Sequence, residues 1–197
     1  MRLLVGEKYN FGQDDDYLLT HNKLGIDSLE QLERAEQYAF MVRALQIETG
    51  DYIIDSFSKE AFQALHYHLF QDIFTFAGQY RDVQLSKGHT RFCQYQFLDN
   101  MAEQLFAELQ QETAWPTKEV AAERLAYFKA ELNMLHPFRE GNGRTIRILL
   151  HAYARTKGYE WHYMRLVQNT YMQSMIQSIA NTTALQQILY DTLQRLD

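Results

Sequence analysis

The stretch from Thr117 to Leu135 constrains the fold most, because its apolar residues recur in steps of four and three. Leu125, Phe128 and Leu132 belong to this series. The spacing is typical of a helix, and two apolar positions per turn predict burial against several neighbours. A chain built around such a helix is expected to form a helical bundle.

Weaker periodicities predict the remaining helices after an irregular start. Ser28 to Gln31 has the pattern of a capping box, which marks the beginning of a helix. The positions expected to face inward in this helix are Leu32, Ala35, Ala39, Val42 and Leu45. We predict helices over residues 28–48, 58–70, 95–112, 117–135, 142–158, about 165–180 and 183–195.

Residues 78–92 follow a different pattern. Tyr80, Val83 and Leu85 alternate with polar residues, and Ser86-Lys87-Gly88 supplies a turn. This stretch predicts a β-hairpin or an extended flap. The fold class is therefore all-α, a helical bundle with one small β-hairpin flap, formed as a single domain over residues 1–197 with its core at about 20–195.

The composition supports this class and excludes others. The chain has 197 residues, with only two prolines and nine glycines to interrupt long helices. It contains no signal-peptide core and no apolar run near the roughly 20 residues of a membrane span. A single cysteine, Cys93, suits a reducing cytoplasm. The net charge of −6 argues against general nucleic-acid binding, so a phosphate ligand should be small and locally held.

The segment HPFREGNGRTIR, residues 136–147, interrupts the apolar pattern between two helices. Gly141 and Gly143 allow the backbone to approach a ligand, and Asn142 is a favourable N-cap residue. The free N–H groups of such a helix start attract anions. Arg144 and Arg147 oppose the helix dipole there, which a bound polyphosphate would compensate.

Two further residues of the segment point to phosphate chemistry. Glu140 is a carboxylate beside the predicted phosphate site and is expected to bind Mg²⁺. His136 is the neighbouring group that can accept a proton near neutral pH, so it could activate a hydroxyl. Phe138 is expected to anchor the loop and is counted with the nucleotide site. We interpret His66 and His68 as packing or surface residues, because alternate helix positions face apart.

The segment matches HxFx(D/E)GNGRxxR at every defining position and resembles the signature of Fic-domain proteins. The stretch LFQDIFTFAGQYRDVQLSKGHTRF is similar to the helix end and flap of the same family. The resemblance implies a Fic-type bundle in which AMP is transferred from ATP to a Ser, Thr or Tyr hydroxyl of a target protein. It also implies the catalytic loop 136–147, with ATP as substrate and Mg²⁺ as cofactor.

The resemblance assigns roles to individual residues. His136 would deprotonate the target hydroxyl, and Glu140 would hold Mg²⁺ on the phosphates. Gly141, Asn142 and Gly143 would form the anion hole, with the Asn142 side chain on the phosphates. The remaining residues implied are Arg144 and Arg147 for the β- and γ-phosphates, Leu85, Ser86, Lys87 and Gly88 for the target peptide, and Tyr171 for the adenine.

One departure from the family concerns regulation. Many Fic proteins carry an inhibitory helix with the pattern (S/T)xxxE(G/N), whose glutamate pairs with the second arginine, here Arg147. Residues 56–61 come nearest, but Ala61 follows Glu60. We therefore expect a toxin that is inhibited in trans by a small antitoxin carrying this pattern, in the cytoplasm or after delivery into another cell.

Two alternatives remain open at this stage. The same fold could transfer another group, such as phosphate, UMP or phosphocholine, although Gly143 favours nucleotidyl transfer because a bulkier residue would crowd the phosphates. The chain could also be a catalytically idle module that binds a nucleotide. The presence of both His136 and Glu140 argues against an idle module.

Overall fold

Helix α5, Lys118–Leu135, lies at the centre of the molecule, as its apolar periodicity predicts. The structure is a computed structural model that describes residues 13–88 and 90–196. Leu125, Phe128 and Leu132 of α5 have 0% exposed surface. The helix packs against α4 (Leu98–Gln111), α6 (Asn142–Thr156) and α8 (Thr183–Thr192).

The other elements surround this centre. The remaining helices of the described residues are α1 (Gln13–Thr20), α2 (Leu29–Glu48), α3 (Lys59–Phe70) and α7 (Gln168–Gln177). The strands are β1 (Ser86–Lys87), β2 (Thr90–Arg91), β3 (Tyr159–Trp161) and β4 (Leu193–Arg195). In the described part of the chain, no helix is both long enough and apolar enough to cross a membrane.

Side-chain caps fix the beginning of two predicted helices. The Ser58 hydroxyl accepts a hydrogen bond from the Ala61 N–H at 3.1 Å, and α3 begins there. Thr117 accepts from the Val120 N–H at 3.3 Å at the start of α5. Such caps satisfy backbone donors that the first turn of a helix leaves without partners. The predicted helices at these positions are confirmed.

Helix α2 departs from its prediction in two ways. Ser28 occupies the N-cap position, but its side chain makes no capping hydrogen bond, so the predicted capping box does not form. Val42 and Leu45, predicted to face inward, are 43% and 61% exposed. The helix packs mainly against α3 at the edge of the bundle, so Phe40, Ala44 and Ile47 lie against the core while Val42 and Leu45 face away from it.

The described residues contain more strand than the sequence pattern predicted, and they include a helix before residue 28. Residues 13–20 form α1, which the sequence did not predict. The helix predicted over 183–195 ends at Thr192, and residues 193–195 instead pair antiparallel with β3. In the flap, β1 pairs antiparallel with β2 only over residues 86–87 and 90–91. The flap is thus a short hairpin at the end of an extended segment.

Candidate active site

The chain reverses direction between α5 and α6, so the end of one helix lies beside the start of the next. His136 is the C-cap of α5 and has φ 46° and ψ 57°, a left-handed conformation that is uncommon for a residue other than glycine. Gly141 has φ 81° and precedes α6. These two positive φ values fold residues 136–141 into a tight loop, which puts the imidazole of His136 next to the positive end of the α6 dipole.

The surroundings of His136 determine its protonation. Its Nδ1 lies 3.0 Å from the carbonyl oxygen of Asn133, which can only accept, so Nδ1 carries the hydrogen and Nε2 the lone pair. The ring stacks on Phe92 at a centroid distance of 3.8 Å. Burial, helped by the charges of Arg81, Lys87 and Lys129, lowers the pKa of His136 to about 3. The imidazole is therefore neutral at physiological pH, with the hydrogen on Nδ1.

Arg81 holds the loop against the base of the flap. Its Nε donates to the carbonyl of His136 at 2.8 Å, and its Nη2 donates to the carbonyl of Cys93 at 2.6 Å. Its backbone N–H donates to the carbonyl of Pro137 at 2.8 Å. One buried guanidinium thus joins the catalytic loop to the segment that carries the hairpin. Cys93 is partly buried beside the flap, and burial raises the pKa of its thiol, so this cysteine is not activated.

His66 fixes the loop from beneath. Its Nδ1 accepts from the Gly78 N–H at 2.8 Å, so Nε2 carries the hydrogen and donates to the Glu140 carbonyl at 2.9 Å. The ring stacks on Phe138 at 3.8 Å. His68 is also buried and bonds to the carbonyl of Arg43, so both histidines are packing residues, as predicted. Among the residues described, no group of three or more His, Cys, Asp or Glu side chains could hold a metal ion.

Phe138 anchors the loop as predicted, but neither Phe138 nor the Asn142 side chain lies where a nucleotide ligand was predicted. Phe138 is 0% exposed and belongs to the core, so it anchors the loop but does not line the nucleotide site. The Asn142 side chain accepts from the Phe138 N–H at 2.9 Å and donates to the Phe138 carbonyl at 2.8 Å. The prediction that this side chain contacts phosphates is wrong, since both of its polar atoms close the loop. Asn142 is the first residue of α6, and Gly141 is the N-cap.

The backbone donors at the start of α6 are partly used. The Gly141 N–H donates to Glu140 Oε1 at 2.8 Å. The N–H groups of Asn142 and Gly143 belong to the first turn, which has no intrahelical partners for them. A Cβ built on Gly143 would meet no atom within 4 Å, and this glycine lines the cavity. Two main-chain donors and an open space thus stand at the helix start.

Arg144 is already paired with carboxylates. Its Nη2 lies 2.5 Å from Glu36 Oε1 and 3.3 Å from Glu140 Oε1, and its guanidinium stacks over Phe70 at 4.9 Å. Burial raises the pKa of Glu36 to about 7, and the charge of Arg144 opposes that rise. Arg144 lines the cavity, so its predicted contact with a phosphate stays a prediction. In this structure its visible role is to hold Glu140.

The guanidinium of Arg147, unlike that of Arg144, is not paired with a carboxylate among the described residues. Its buried Nε has no hydrogen-bond partner among the described residues, and Cζ lies 6.0 Å above the ring of Tyr163. The buried hydroxyl of Tyr171 also has no partner there. Burial raises the pKa of Tyr171, so this phenol is protonated and can donate. Both groups line the same cavity and are available to a ligand.

The cavity measures about 620 Å³ and joins all of these groups. Its polar end is formed by His136, Glu140, Gly143 and the two arginines. Its other wall is formed by Tyr171, Met172, Met175, Ile176 and Ile179 from α7 and the turn after it. A basic end and an apolar wall suit a ligand that carries both phosphates and a flat base.

The hairpin lies at the rim of this cavity. Lys87, Gly88 and Thr90 line it, and Ser86 pairs with Arg91 in the ladder. Leu85 is 0% exposed, so its side chain belongs to the core and cannot contact a target peptide as predicted. Only the main chain of Leu85 takes part in the flap, where its carbonyl accepts from the Phe92 N–H at 3.2 Å.

Three residues at the site escaped the sequence analysis. Glu36 and Arg81 act through the hydrogen bonds described above, and Lys129 lines the cavity from α5. Glu36 and Lys129 had a readable signal, since each is a charged residue at a helical position surrounded by apolar ones. Arg81 ends the AGQYR stretch that resembles the family, but its contacts were not predicted, because its acceptors are backbone carbonyls and those of His136 and Cys93 are distant in the sequence.

A sequence model described as "Fic/DOC family" matches residues 56–154. A protein of Sinorhizobium fredii named "Probable protein adenylyltransferase y4lH" is 35% identical over 185 residues, covering 90% of this chain and 94% of that protein. The Escherichia coli protein named "Probable protein adenylyltransferase Fic" is 31% identical, covering 93% of this chain and 94% of that protein.

Solved structures agree on the fold. The Fic domain of a Bartonella quintana protein with bound ADP has a TM-score of 0.80 and 19% identity, covering 89% of this chain and 91% of that one. The BepC protein of Bartonella tribocorum with bound AMPPNP has a TM-score of 0.78, also at 19% identity, and covers 89% and 92%. At this identity the likeness establishes the architecture alone.

Proposed function

The chain belongs to the Fic/DOC family and is a protein adenylyltransferase, and we propose that its cavity transfers AMP from ATP to a Ser, Thr or Tyr hydroxyl of a target protein. The observation that carries this proposal is the neutral, buried imidazole of His136 beside the free donors of the α6 start. A base that is unprotonated at neutral pH and an anion site share one cavity of suitable size.

His136 serves as the general base. Its Nε2 takes the proton of the target hydroxyl, whose oxygen forms a new bond to the α-phosphorus of ATP. The bond from that phosphorus to the bridging oxygen of the β-phosphate breaks, and pyrophosphate leaves. The N–H groups of Asn142 and Gly143 stabilise the charge that develops on the phosphoryl oxygens, and Arg147 holds the leaving phosphates.

Glu140 fits a role as a ligand of Mg²⁺. Magnesium is commonly held by one or two carboxylates together with substrate phosphates, and Glu140 is a carboxylate at the rim of the anion site. Arg144 and the Gly141 N–H both bind its Oε1, which fixes the orientation of the carboxylate. When bound, Mg²⁺ would neutralise phosphate charge.

The remaining walls provide binding. The apolar residues of α7 and the hydroxyl of Tyr171 suit the adenine and ribose. The main chain around Lys87 and Gly88 suits a target peptide that adds to the hairpin by strand-like hydrogen bonds. We place this reaction in the cytoplasm, either of the producing cell or of a cell into which the protein is delivered.

Labelling tests the proposal directly. Purified protein is incubated with Mg²⁺, a cell lysate and ATP labelled in the α-phosphate, and the modified proteins are separated and their mass increase is measured. We expect a label and a mass increase of one AMP with the wild type and none with His136→Ala. His162→Ala, which lies outside the cavity lining, serves as the matched control and should retain the label.

Two outcomes would contradict the proposal. A mass increase corresponding to phosphate, UMP or phosphocholine would show that the protein transfers that group and not AMP. ATP binding without any transfer would make the chain a binding module.

Regulation in trans is the second part of the proposal. The cavity is faced or flanked by the unpartnered Nε of Arg147 and by the exposed side chains of Met172, Ile176 and Ile179. A small antitoxin could insert a glutamate there.

Induced expression of the wild type should arrest bacterial growth, and expression of His136→Ala should not. Coexpression of a neighbouring short reading frame with (S/T)xxxE(G/N) should restore growth, but not after its glutamate is changed to alanine. Normal growth with active protein would refute the toxin assignment.

A further inference from the structure

Lys129 is a buried lysine in the wall of the cavity that the proposed mechanism leaves without a role. It is 3% exposed and lies on α5, one turn before Asn133 and two turns before His136 on the same helix face. The described residues provide it with no hydrogen bond and no ion pair. The side chain is thus almost entirely buried and reaches the cavity with no anion beside its charge, an arrangement that an anionic ligand in the cavity would stabilise.

The charges around Lys129 do not compensate it. Arg147 is the charged group that acts on it, and the two cations repel each other. Burial and this repulsion lower the pKa of Lys129 to about 7. The two carboxylates nearest to the anion site, Glu36 and Glu140, are both bound by Arg144. This corner of the cavity therefore has an excess of positive charge.

The position of Lys129 along α5 indicates which part of a ligand it would meet. Helices α5 and α6 pack together and are joined by the tight loop. Lys129 lies roughly 9 Å before the end of α5 and Arg147 roughly 7.5 Å after the start of α6, at 1.5 Å per residue. The two cations are thus at the same depth, below the α6 start where the reacting phosphorus would lie.

We propose that Lys129 is a further cation of the nucleotide site, which binds the terminal phosphate of ATP together with Arg147 and thereby favours a triphosphate over a diphosphate or monophosphate. The inference rests on the proposed function, because it requires the phosphates to run from His136 towards Arg147. A lysine suits this role since its ammonium can meet a single phosphate oxygen as a point charge.

Binding measurements on the full chain test this assignment. The affinities of ATP, ADP and AMP are measured by calorimetry in one Mg²⁺-containing buffer for the wild type, Lys129→Met and Lys129→Arg. Lys118→Met is the matched control, because it makes the same change on the same helix roughly 16 Å away. We expect Lys129→Met to weaken ATP binding about tenfold or more and to leave AMP binding unchanged. Lys129→Arg should stay within about threefold of the wild type for ATP.

A melting experiment separates this role from a structural one. If Lys129 only supported the fold, Lys129→Met would lower the melting temperature. We expect the melting temperature to be unchanged or higher, because removing an unpaired buried charge favours the folded state. An unchanged ATP affinity in Lys129→Met, or an equal loss for all three nucleotides, would overturn the assignment. Failure of the proposed function would look different, because the wild type would then bind no nucleotide or bind ATP without transferring AMP.

Discussion

Gly141 and Gly143 stand two positions apart at the helix start, and each is required for a different reason. Gly141 has φ 81°, and a Cβ there would lie 2.4 Å from ring atoms of Phe70. Gly143 lies in the first turn of α6 and faces open space. The first glycine is needed by the fold, and the second by the ligand that would occupy this space.

Alanine at Gly141 should therefore mainly lower stability, and alanine at Gly143 should mainly lower AMP transfer. We expect Gly141→Ala to lower the free energy of unfolding by about 2 to 4 kcal/mol through strain and overlap. Gly143→Ala should leave it unchanged or raise it by up to about 1 kcal/mol, since alanine favours a helix. Its methyl group should nevertheless lower AMP transfer about tenfold or more by occupying phosphate space. Urea unfolding and the labelling assay measure the two effects, and a Gly143→Ala protein with normal transfer would contradict this division.

Two of the buried histidines, His66 and His136, should make stability depend on pH. The pKa of both His66 and His136 falls from 6.5 to about 3 on folding, mainly through burial. Between pH 6.5 and 4.5 the unfolded chain binds a proton at each that the folded chain does not, so each lowers stability by about 1.4 kcal/mol per pH unit as the pH falls. Glu36 acts in the opposite sense, because its pKa is raised to about 7 and its folded form binds a proton in this range.

Together, His66, His136 and Glu36 contribute a loss of about 1.4 kcal/mol in unfolding free energy per unit as the pH falls from 6.5 to 4.5, and the lowered pKa of His68 adds to this loss. His66→Gln can still donate to and accept from its neighbours but does not titrate, so it should reduce the slope by about 1.4 kcal/mol per pH unit. Urea unfolding at three pH values measures both slopes. Equal slopes for the two proteins would show that His66 is already protonated in the folded state.

At the scale of elements, α2 contributes to the site from a distance in the sequence. It carries Glu36, which is buried and pairs with Arg144 from α6. Four residues later, Phe40 packs its ring against Phe70 and under the same guanidinium. The helix that has the most exposed apolar surface therefore also fixes the orientation of Arg144, and through it that of Glu140.

Neutralising Glu36 should be costly for this reason. At pH 8, where the Glu36 carboxylate is ionised, we expect Glu36→Gln to lower the free energy of unfolding by about 3 kcal/mol, because the charge of the buried Arg144 is then opposed by Glu140 alone. Glu30→Gln is the matched control on the same helix, and its exposed pair with Arg34 should change stability by less than about 1 kcal/mol. Similar losses in both variants by urea unfolding would mean that the Glu36 contact is not specifically stabilising.

The sequence was most informative where local chemistry decides the structure. The caps at Ser58 and Thr117, the apolar series of α5 and the loop at residues 136–147 depend on neighbouring residues, and each was predictable. Tertiary packing decided the rest. Leu45 fits a helical apolar face but has no partner to cover it, and Leu85 fits a flap but is buried. The Asn142 side chain could equally have served a ligand or the loop, and only the folded backbone distinguishes the two.

At the scale of the molecule, α5 connects the core to the site. It packs against α4, α6 and α8, and its C-cap is His136, the proposed base. The β3–β4 ladder holds the end of α8 against the turn after α6, and Leu193 and Trp161 are buried there. The flap, in contrast, has a ladder of only two residue pairs.

Hydrogen exchange should reveal this difference in local stability between α5 and the flap. We expect the amides of α5 to exchange last, near the rate of global unfolding, and those of residues 86–91 to exchange by local opening. Addition of ATP should slow exchange at residues 141–147 more than in α8. Exchange followed by mass spectrometry measures all three segments, and a flap as protected as α5 would contradict the expectation.

The guanidinium of Arg81 has a mechanical consequence. It donates hydrogen bonds both to the carbonyl of His136 and to the carbonyl of Cys93, at the base of the hairpin. A movement of His136 is therefore coupled to a movement of the hairpin. In the proposed reaction, a displacement of the hairpin would therefore also displace the proposed base, which is 55 residues from Arg81 in the sequence. The positions of the target hydroxyl and of the proposed base would thus depend on the same side chain.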